Sequence, residues 1–311
     1  MLGIIEISKD AGIESIFLVE TIHKYIYEMR LKNGQTSGFF GLLIFRCFVS
    51  TRFTFVRTTI RFLVGGKILQ LLFIVTYGRS GSTFLMHVLN SFKGVCIRGE
   101  NYGASISLVD SIIKLDASIR EFGSEDPESS DPWYGADSIN LTKYRSNVLT
   151  SFLNNVVRPP EACKIAGFKE IRYLPPHIDH DTLMQHLDIW MSNYPEMKLL
   201  FNTRDWNAVS KSAWWAKRKK SDVKALIQST DQTFRNLNER YGERSYLIDY
   251  SKYNGKPDGL RPVIEWLGLD ATEVDLSKIS SVRLTHAKQM SQTRWQKIIQ
   301  RITNKLRKFT D

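Results

Sequence analysis

Cysteine is scarce in this sequence: Cys47, Cys96 and Cys163 are all there is, and they lie far apart. No two stand at CxxC spacing, and the number is odd, so a disulfide-built fold is excluded and a reducing compartment is expected. Long apolar runs are missing too. "GFFGLLIFRCFV" from Gly38 is interrupted by Arg46, and "FTFVRTTIRFLVGGKILQLLFIV" from Phe53 carries Arg57, Arg61 and Lys67. A membrane-spanning helix needs roughly 20 apolar residues in succession. The opening residues, MLGIIEISKD, lack the basic start and apolar run of a secretory leader. A cytoplasmic protein is the expectation, with peripheral membrane contact left open by the basic residues set beside Phe, Leu and Ile. Negative charge is also in deficit. Lys and Arg number 43 against 32 Asp and Glu, a net +11, which favours anionic partners such as phosphorylated cofactors, acidic polymers, nucleic acid or a membrane surface.

What is present suits a packed enzyme-sized domain: 311 residues, 42% of them hydrophobic. Residues 1–68 read as a helical N-terminal extension, broken at "KNGQTSG" and "VGG", with no site chemistry. Residues 69–311 form the main domain. Its short apolar runs "LLFIVTY", "GVCIRGE", "CKIAGFKE", "MKLLFNTR" and "RSYLIDY" predict buried strands. Between them, stretches such as "AVSKSAWWAKRKK" and "VKALIQSTDQTFRNLNERYG" predict helices. The alternation gives a three-layer α/β/α class with a mainly parallel sheet, which binds ligands at the carboxyl ends of its strands. The acidic, Pro/Gly/Ser-rich segment from Glu121, "EFGSEDPESSDPWYGAD", reads as a long loop. It is either a solvated insertion or a lid with Trp133 and Tyr134 as contacts. Residues 291–309 predict a basic amphipathic helix, docked on the domain or attached to anionic lipid or an acidic glycan.

The segment from Leu71, "LLFIVTYGRSGSTFLMHVLNSF", has the layout of a strand, a Gly/Ser turn and a helix. Backbone N–H groups in such a turn, with the helix N-terminus behind them, attract a phosphate. Gly78 and Gly81 allow close approach, Ser80, Ser82 and Thr83 add hydroxyls, and Arg79 adds a charged fork. Against GxxxxGK[ST] the segment fails at Thr76, where the first Gly belongs, and at Ser82, where the lysine belongs. The loop therefore suits a ligand with a single 5′-phosphate and no triphosphate tail. Glu100 in "VCIRGENYG" follows the next predicted strand and would face the same pocket.

"TYGRSGSTFL" resembles the phosphosulfate-binding loop of sulfotransferases that use 3′-phosphoadenosine-5′-phosphosulfate (PAPS), in their carbohydrate or bacterial-type branch. The likeness spans about residues 70–290 and implies a P-loop-like sulfotransferase fold with PAPS as the sulfuryl donor and no metal. It maps onto Arg79, Ser80, Gly81, Ser82, Thr83 and Phe84, the last standing where the cytosolic branch has a tryptophan on the adenine. The same resemblance implies that Arg204 and Ser212, eight residues apart in "KLLFNTRDWNAVSKSAWW", hold the 3′-phosphate, with Ser210 as a fallback. It places a basic loop, with Arg283 and Lys288, over the cofactor. It gives Glu100 the role of base and Lys169, in "GFKEIRY", that of stabilising the transferring sulfuryl group or leaving phosphate. Arg172 would bind cofactor or acceptor, or pair with Glu170. The histidine motif of the cytosolic branch is absent, His87 reads as a packed residue, and His177 and His180 complete no zinc site. The expected acceptor is a hydroxyl of a saccharide or glycolipid. The rival readings are a P-loop kinase, and a non-catalytic basic protein that binds membrane or, less in keeping with the motifs, nucleic acid.

Overall fold

A computed structural model describes residues 63–64, 67–123 and 127–281 of the chain. Arg283, Lys288, the 291–309 helix and nearly all of the 1–68 extension lie outside the described residues. At the end of that extension, Leu63–Val64 (β1) and Lys67–Ile68 (β2) pair antiparallel. These short strands, on either side of the break expected at "VGG", depart from the helical reading of the extension.

Each of the five apolar runs supplies one strand of the main sheet: Gln70–Thr76 (β3), Val95–Arg98 (β4), Ile165–Glu170 (β5), Lys198–Thr203 (β6) and Ser245–Asp249 (β7). The strand order is β4-β5-β3-β6-β7 and every pairing is parallel. Central β3 has no polar alternation because both of its faces are covered. All the strand ends that carry candidate residues therefore lie on one edge of the sheet. The chain leaves β3 towards β4 on one side and later returns to β6 on the other, and such a divergence opens a crevice at the carboxyl ends of the strands.

The helices are Ser82–Leu89 (α1), Ala104–Phe122 (α2), Leu141–Phe152 (α3), His180–Asn193 (α4), Trp206–Ser210 (α5), Lys220–Tyr241 (α6), Arg261–Trp266 (α7) and Leu276–Ser281 (α8). They cover both faces and make three layers. On one face Phe73, Phe168 and Phe201 pack with Phe152 of α3, Trp190 of α4 and Phe234 of α6. On the other, Leu72, Ile74 and Leu200 meet Leu85 and Val88 of α1 and Val263 and Ile264 of α7. In α6, Val223, Ile227, Thr230, Phe234 and Leu237 are the buried positions, a single helical stripe. Asp179 and Asp205 cap α4 and α5 by accepting from Thr182 N and Ala208 N.

One helix expectation needs correcting. "AVSKSAWWAKRKK" is not a continuous helix: α5 stops at Ser210, and a separate 3-10 turn spans Ala213–Lys217. Ala213 is held at φ 51°, which breaks the helical path. The break turns Trp214 and Trp215 onto the loop after β3, where Trp215 Nε1 donates to Gly78 O over 3.0 Å.

Phe73 lies at the centre of the first core, with ring centroids 4.1 Å from Phe168 and 5.0 Å from Trp190. Phe73→Ala should destabilise the protein by about 3–5 kcal/mol, read as a lower urea midpoint with an unchanged denaturant slope.

Candidate functional site

The loop between β3 and α1 is fixed from below by a buried polar network. The Thr76 hydroxyl donates to Asn202 O over 2.7 Å and pairs with Ser80 Oγ at 2.7 Å. Asn202 Nδ2 donates to Ser80 O over 3.1 Å, and the Tyr253 hydroxyl donates to Asn202 Oδ1 over 2.6 Å. Ser80 and Ser82 are buried, while Thr83 and Phe84 are half-buried on the first turn of α1. The Phe84 ring packs on Tyr253, with centroids 6.1 Å apart. Arg79, exposed, has φ 73°, and Gly81 has φ 89°. A Cβ on Gly81 would come within 2.2 Å of the Tyr250 ring, and one on Gly78 within 2.3 Å of Trp214. Aromatic walls thus press against the loop at both glycines, and only glycine fits there.

The end of β6 reaches the same loop. Arg204 Nη1 donates to Arg79 O over 2.9 Å, and its guanidinium lies 4.5 Å from the centroid of the Tyr250 ring. Its Nε is buried and has no acceptor among the described residues. Arg79 Nε donates to Ser212 Oγ over 2.8 Å. Arg79, Arg204 and Ser212 are therefore brought together, although Ser212 sits beyond the end of α5 rather than within it. Ser210 points elsewhere: it is buried and donates to Asn207 O over 2.9 Å. Below Arg204, the Tyr77 hydroxyl accepts from Arg204 N over 2.7 Å. Burial pushes the Tyr77 phenol far above its ordinary pKa, so it stays protonated.

A second group forms across β4 and β5, on the other side of β3. Lys169, buried at the end of β5, donates to Glu100 Oε1 over 2.5 Å. Arg172 Nη1 lies 3.6 Å from Glu100 Oε2 and 3.1 Å from Glu170 Oε1. Glu100 keeps about a third of its side chain open, 34%. Tyr77 and Arg172 form a β-bridge, which ties this cluster to the loop. Sequence reasoning treated Glu170 only as a partner for Arg172, yet it organises the cluster. It is fully buried and accepts from Asn101 N, Gly103 N, Ile171 N and Arg172 N as well as from the Arg172 guanidinium. These bonds clamp the turn that carries Glu100, where Tyr102 has φ 61° and lies under the Arg172 guanidinium at 4.1 Å.

Tyr77, Trp214, Trp215 and Tyr250 were also missed as site residues. The signal for them was adjacency: Tyr77 borders the loop, the tryptophans follow Ser212, and Tyr250 follows the last strand. In the long loop, Trp133 stacks on Phe122 with centroids 3.9 Å apart, so its ring fastens the loop to the end of α2. Tyr134 is exposed, and residues 124–126 lie outside the described residues. No group of three or more His, Cys, Asp or Glu placed to hold a metal ion occurs among the described residues. Nor is any described helix long and apolar enough to cross a membrane.

Chemically, the loop offers backbone donors, hydroxyls and two arginines to an anion, and the neighbouring cluster pairs a part-exposed carboxylate with a buried ammonium. No known family model matches the chain, and no curated protein matches it.

Removing Glu170 leaves buried amides and Arg172 without their acceptor. Glu170→Ala should cost about 3–5 kcal/mol in thermal or urea unfolding. The Asn101 and Gly103 amides should lose protection from hydrogen exchange before the core does.

Proposed function

We propose that the protein is a sulfotransferase that moves the sulfuryl group of PAPS to a hydroxyl of a saccharide or glycolipid. The observation that carries this reading is the bonding of the β6-end arginine to the β3 loop. Arg204 meets Arg79 O, and Arg79 meets Ser212, so two cations and a serine stand beside one phosphate-type loop. A nucleotide with phosphates at both its 5′ and 3′ positions needs two such anion sites. A triphosphate hydrolase needs a lysine after Gly81, and Ser82 stands there, buried.

In this reading the loop amides, Ser80, Gly81, Ser82, Thr83 and Arg79 bind the 5′-phosphosulfate, and Arg204 with Ser212 binds the 3′-phosphate. The unpartnered Arg204 Nε fits an arginine whose acceptor arrives with a ligand. The aromatic rings of Tyr250, Trp214 and Phe84 surround the loop and suit a nucleobase. Transfer is an in-line displacement. The acceptor oxygen bonds to sulfur, and the bond from sulfur to the 5′-phosphate oxygen breaks. The acceptor proton passes to Glu100, and adenosine 3′,5′-bisphosphate leaves with the electron pair. Lys169 keeps two ammonium hydrogens beyond its bond to Glu100, and with them it balances charge on the sulfuryl group or leaving phosphate.

Calorimetry should show adenosine 3′,5′-bisphosphate binding at least about tenfold more tightly than 5′-AMP, with Arg204→Ala erasing the preference. Equal affinities in the wild type would sink the assignment of the second anion site. Glu100→Gln should retain bisphosphate affinity but lose about 10²–10⁴ in transfer of radiolabelled sulfate from PAPS to saccharide and glycolipid acceptors. Wild-type turnover in that variant would remove Glu100 as the base.

A further inference from the structure

The Tyr77 hydroxyl has one proton and three close partners. Arg204 N donates to it over 2.7 Å, while Arg204 O and Asp231 Oδ1 each lie 2.9 Å away. Asp231 comes from α6 and Arg204 from the end of β6, so this single phenol joins a surface helix to the strand end. A phenol can donate only once. When Asp231 is ionised, two oxygens compete for the Tyr77 proton. The carboxylate wins, because a hydrogen bond to a charged acceptor is roughly twice as strong as a neutral one. Arg204 O then loses its donor. When Asp231 is protonated, its hydroxyl donates to the Tyr77 oxygen, Tyr77 donates to Arg204 O, and Arg204 N donates to Tyr77. The three contacts are then satisfied by one added proton, and Tyr77 gives none up.

We infer that Asp231 is a positioning residue for Arg204, closing through Tyr77 a clasp on the strand-end arginine when protonated and loosening it when ionised. The inference rests on the reading of Arg204 as a phosphate contact. Its consequence is that anion affinity weakens as pH rises through the neutral range.

The groups facing Asp231 set where this happens. Burial disfavours its charge and outweighs the rest. Tyr77 and Arg235, further along α6, favour the ionised form, and Asp249 at the end of β7 opposes it, leaving Asp231 raised to about 6. The Arg235 guanidinium donates to Gln232 Oε1, and the Asp249 carboxylate accepts from Thr203 Oγ1 and Ser251 N. The α6 lysines nearest α5, Lys220 and Lys224, lie over the Trp206 ring. For the sign, a folded-state pKa above the unfolded 3.8 means that the native protein holds more protons between the two values. The Asp231 contribution is therefore complete at low pH and is lost as pH rises through about 6.

The test uses the full chain, Asp231→Asn and adenosine 3′,5′-bisphosphate as the probe, titrated calorimetrically from about pH 5 to about pH 8, with thermal melts alongside. Asparagine keeps a donor towards Tyr77 at every pH, and ionisation of the ligand cancels in the ratio of the two proteins. Affinities should match at the acid end. At the alkaline end the variant should bind about three- to tenfold more tightly, the weight of one net hydrogen bond, and melt at a higher temperature than the wild type. In a Tyr77→Phe background the Asp231→Asn effect should vanish. Binding with pH-parallel curves, or an effect that survives without the phenol, overturns the clasp alone. Absence of binding by both proteins at every pH overturns the nucleotide reading, and the positioning role falls with it.

Discussion

The Thr76 hydroxyl donates to the Asn202 carbonyl across the ends of β3 and β6. Thr76, Ser80 and Asn202 are all fully buried, where an unpaired polar group costs about 1–3 kcal/mol. Their mutual bonds, closed by the Tyr253 hydroxyl, remove that cost only when the loop holds one path. The orientation of Arg79, the left-handed turn at Gly81 and the approach of Arg204 all follow from that path. Trp214 and Tyr250 then close against the two glycines, so the aromatic walls also depend on where the buried network sets the loop.

A comparable constraint operates on the other flank of β3. A fully buried carboxylate must be matched by donors, and Glu170 gathers four amides and a guanidinium. That requirement bends the chain at Tyr102 and sets Glu100 beside Lys169. The two flanks share a division of labour. In each, buried polar residues, Thr76 and Asn202 on one side and Glu170 on the other, fix the backbone that carries the residues proposed to touch ligand.

Much of the architecture was legible because strand burial leaves a direct trace. The apolar runs that became β3 to β7 are short, continuous and bounded by turn residues, as strands covered on both faces must be. Strand order was not legible, since a run such as "MKLLFNTR" carries no mark of its neighbours. The Arg204–Ser212 spacing pointed to two residues that the fold brings to one loop, but by a different route. A continuous helix was expected to return the serine, whereas α5 ends early and Arg79 reaches Ser212 instead. Tyr77 and Glu170 went unread because their importance lies in bonds to residues remote in sequence, Arg204 and Gly103 among them. Periodicity and motif spacing report local geometry and carry no trace of such bonds.

The loop's supports are spread along the chain in a way that bears on its synthesis. Asn202 follows Thr76 by 126 residues, and Tyr253 follows Asn202 by a further 51. At about 5–20 residues per second, the loop emerges from the ribosome roughly ten to thirty-five seconds before the last residue that shapes it. Until β6 is made, 126 residues after Thr76, β3 lacks its neighbour on that side, and its apolar edge is open to misassociation. The loop between β3 and α1 is thus among the first parts of the domain to be made and among the last to acquire its form.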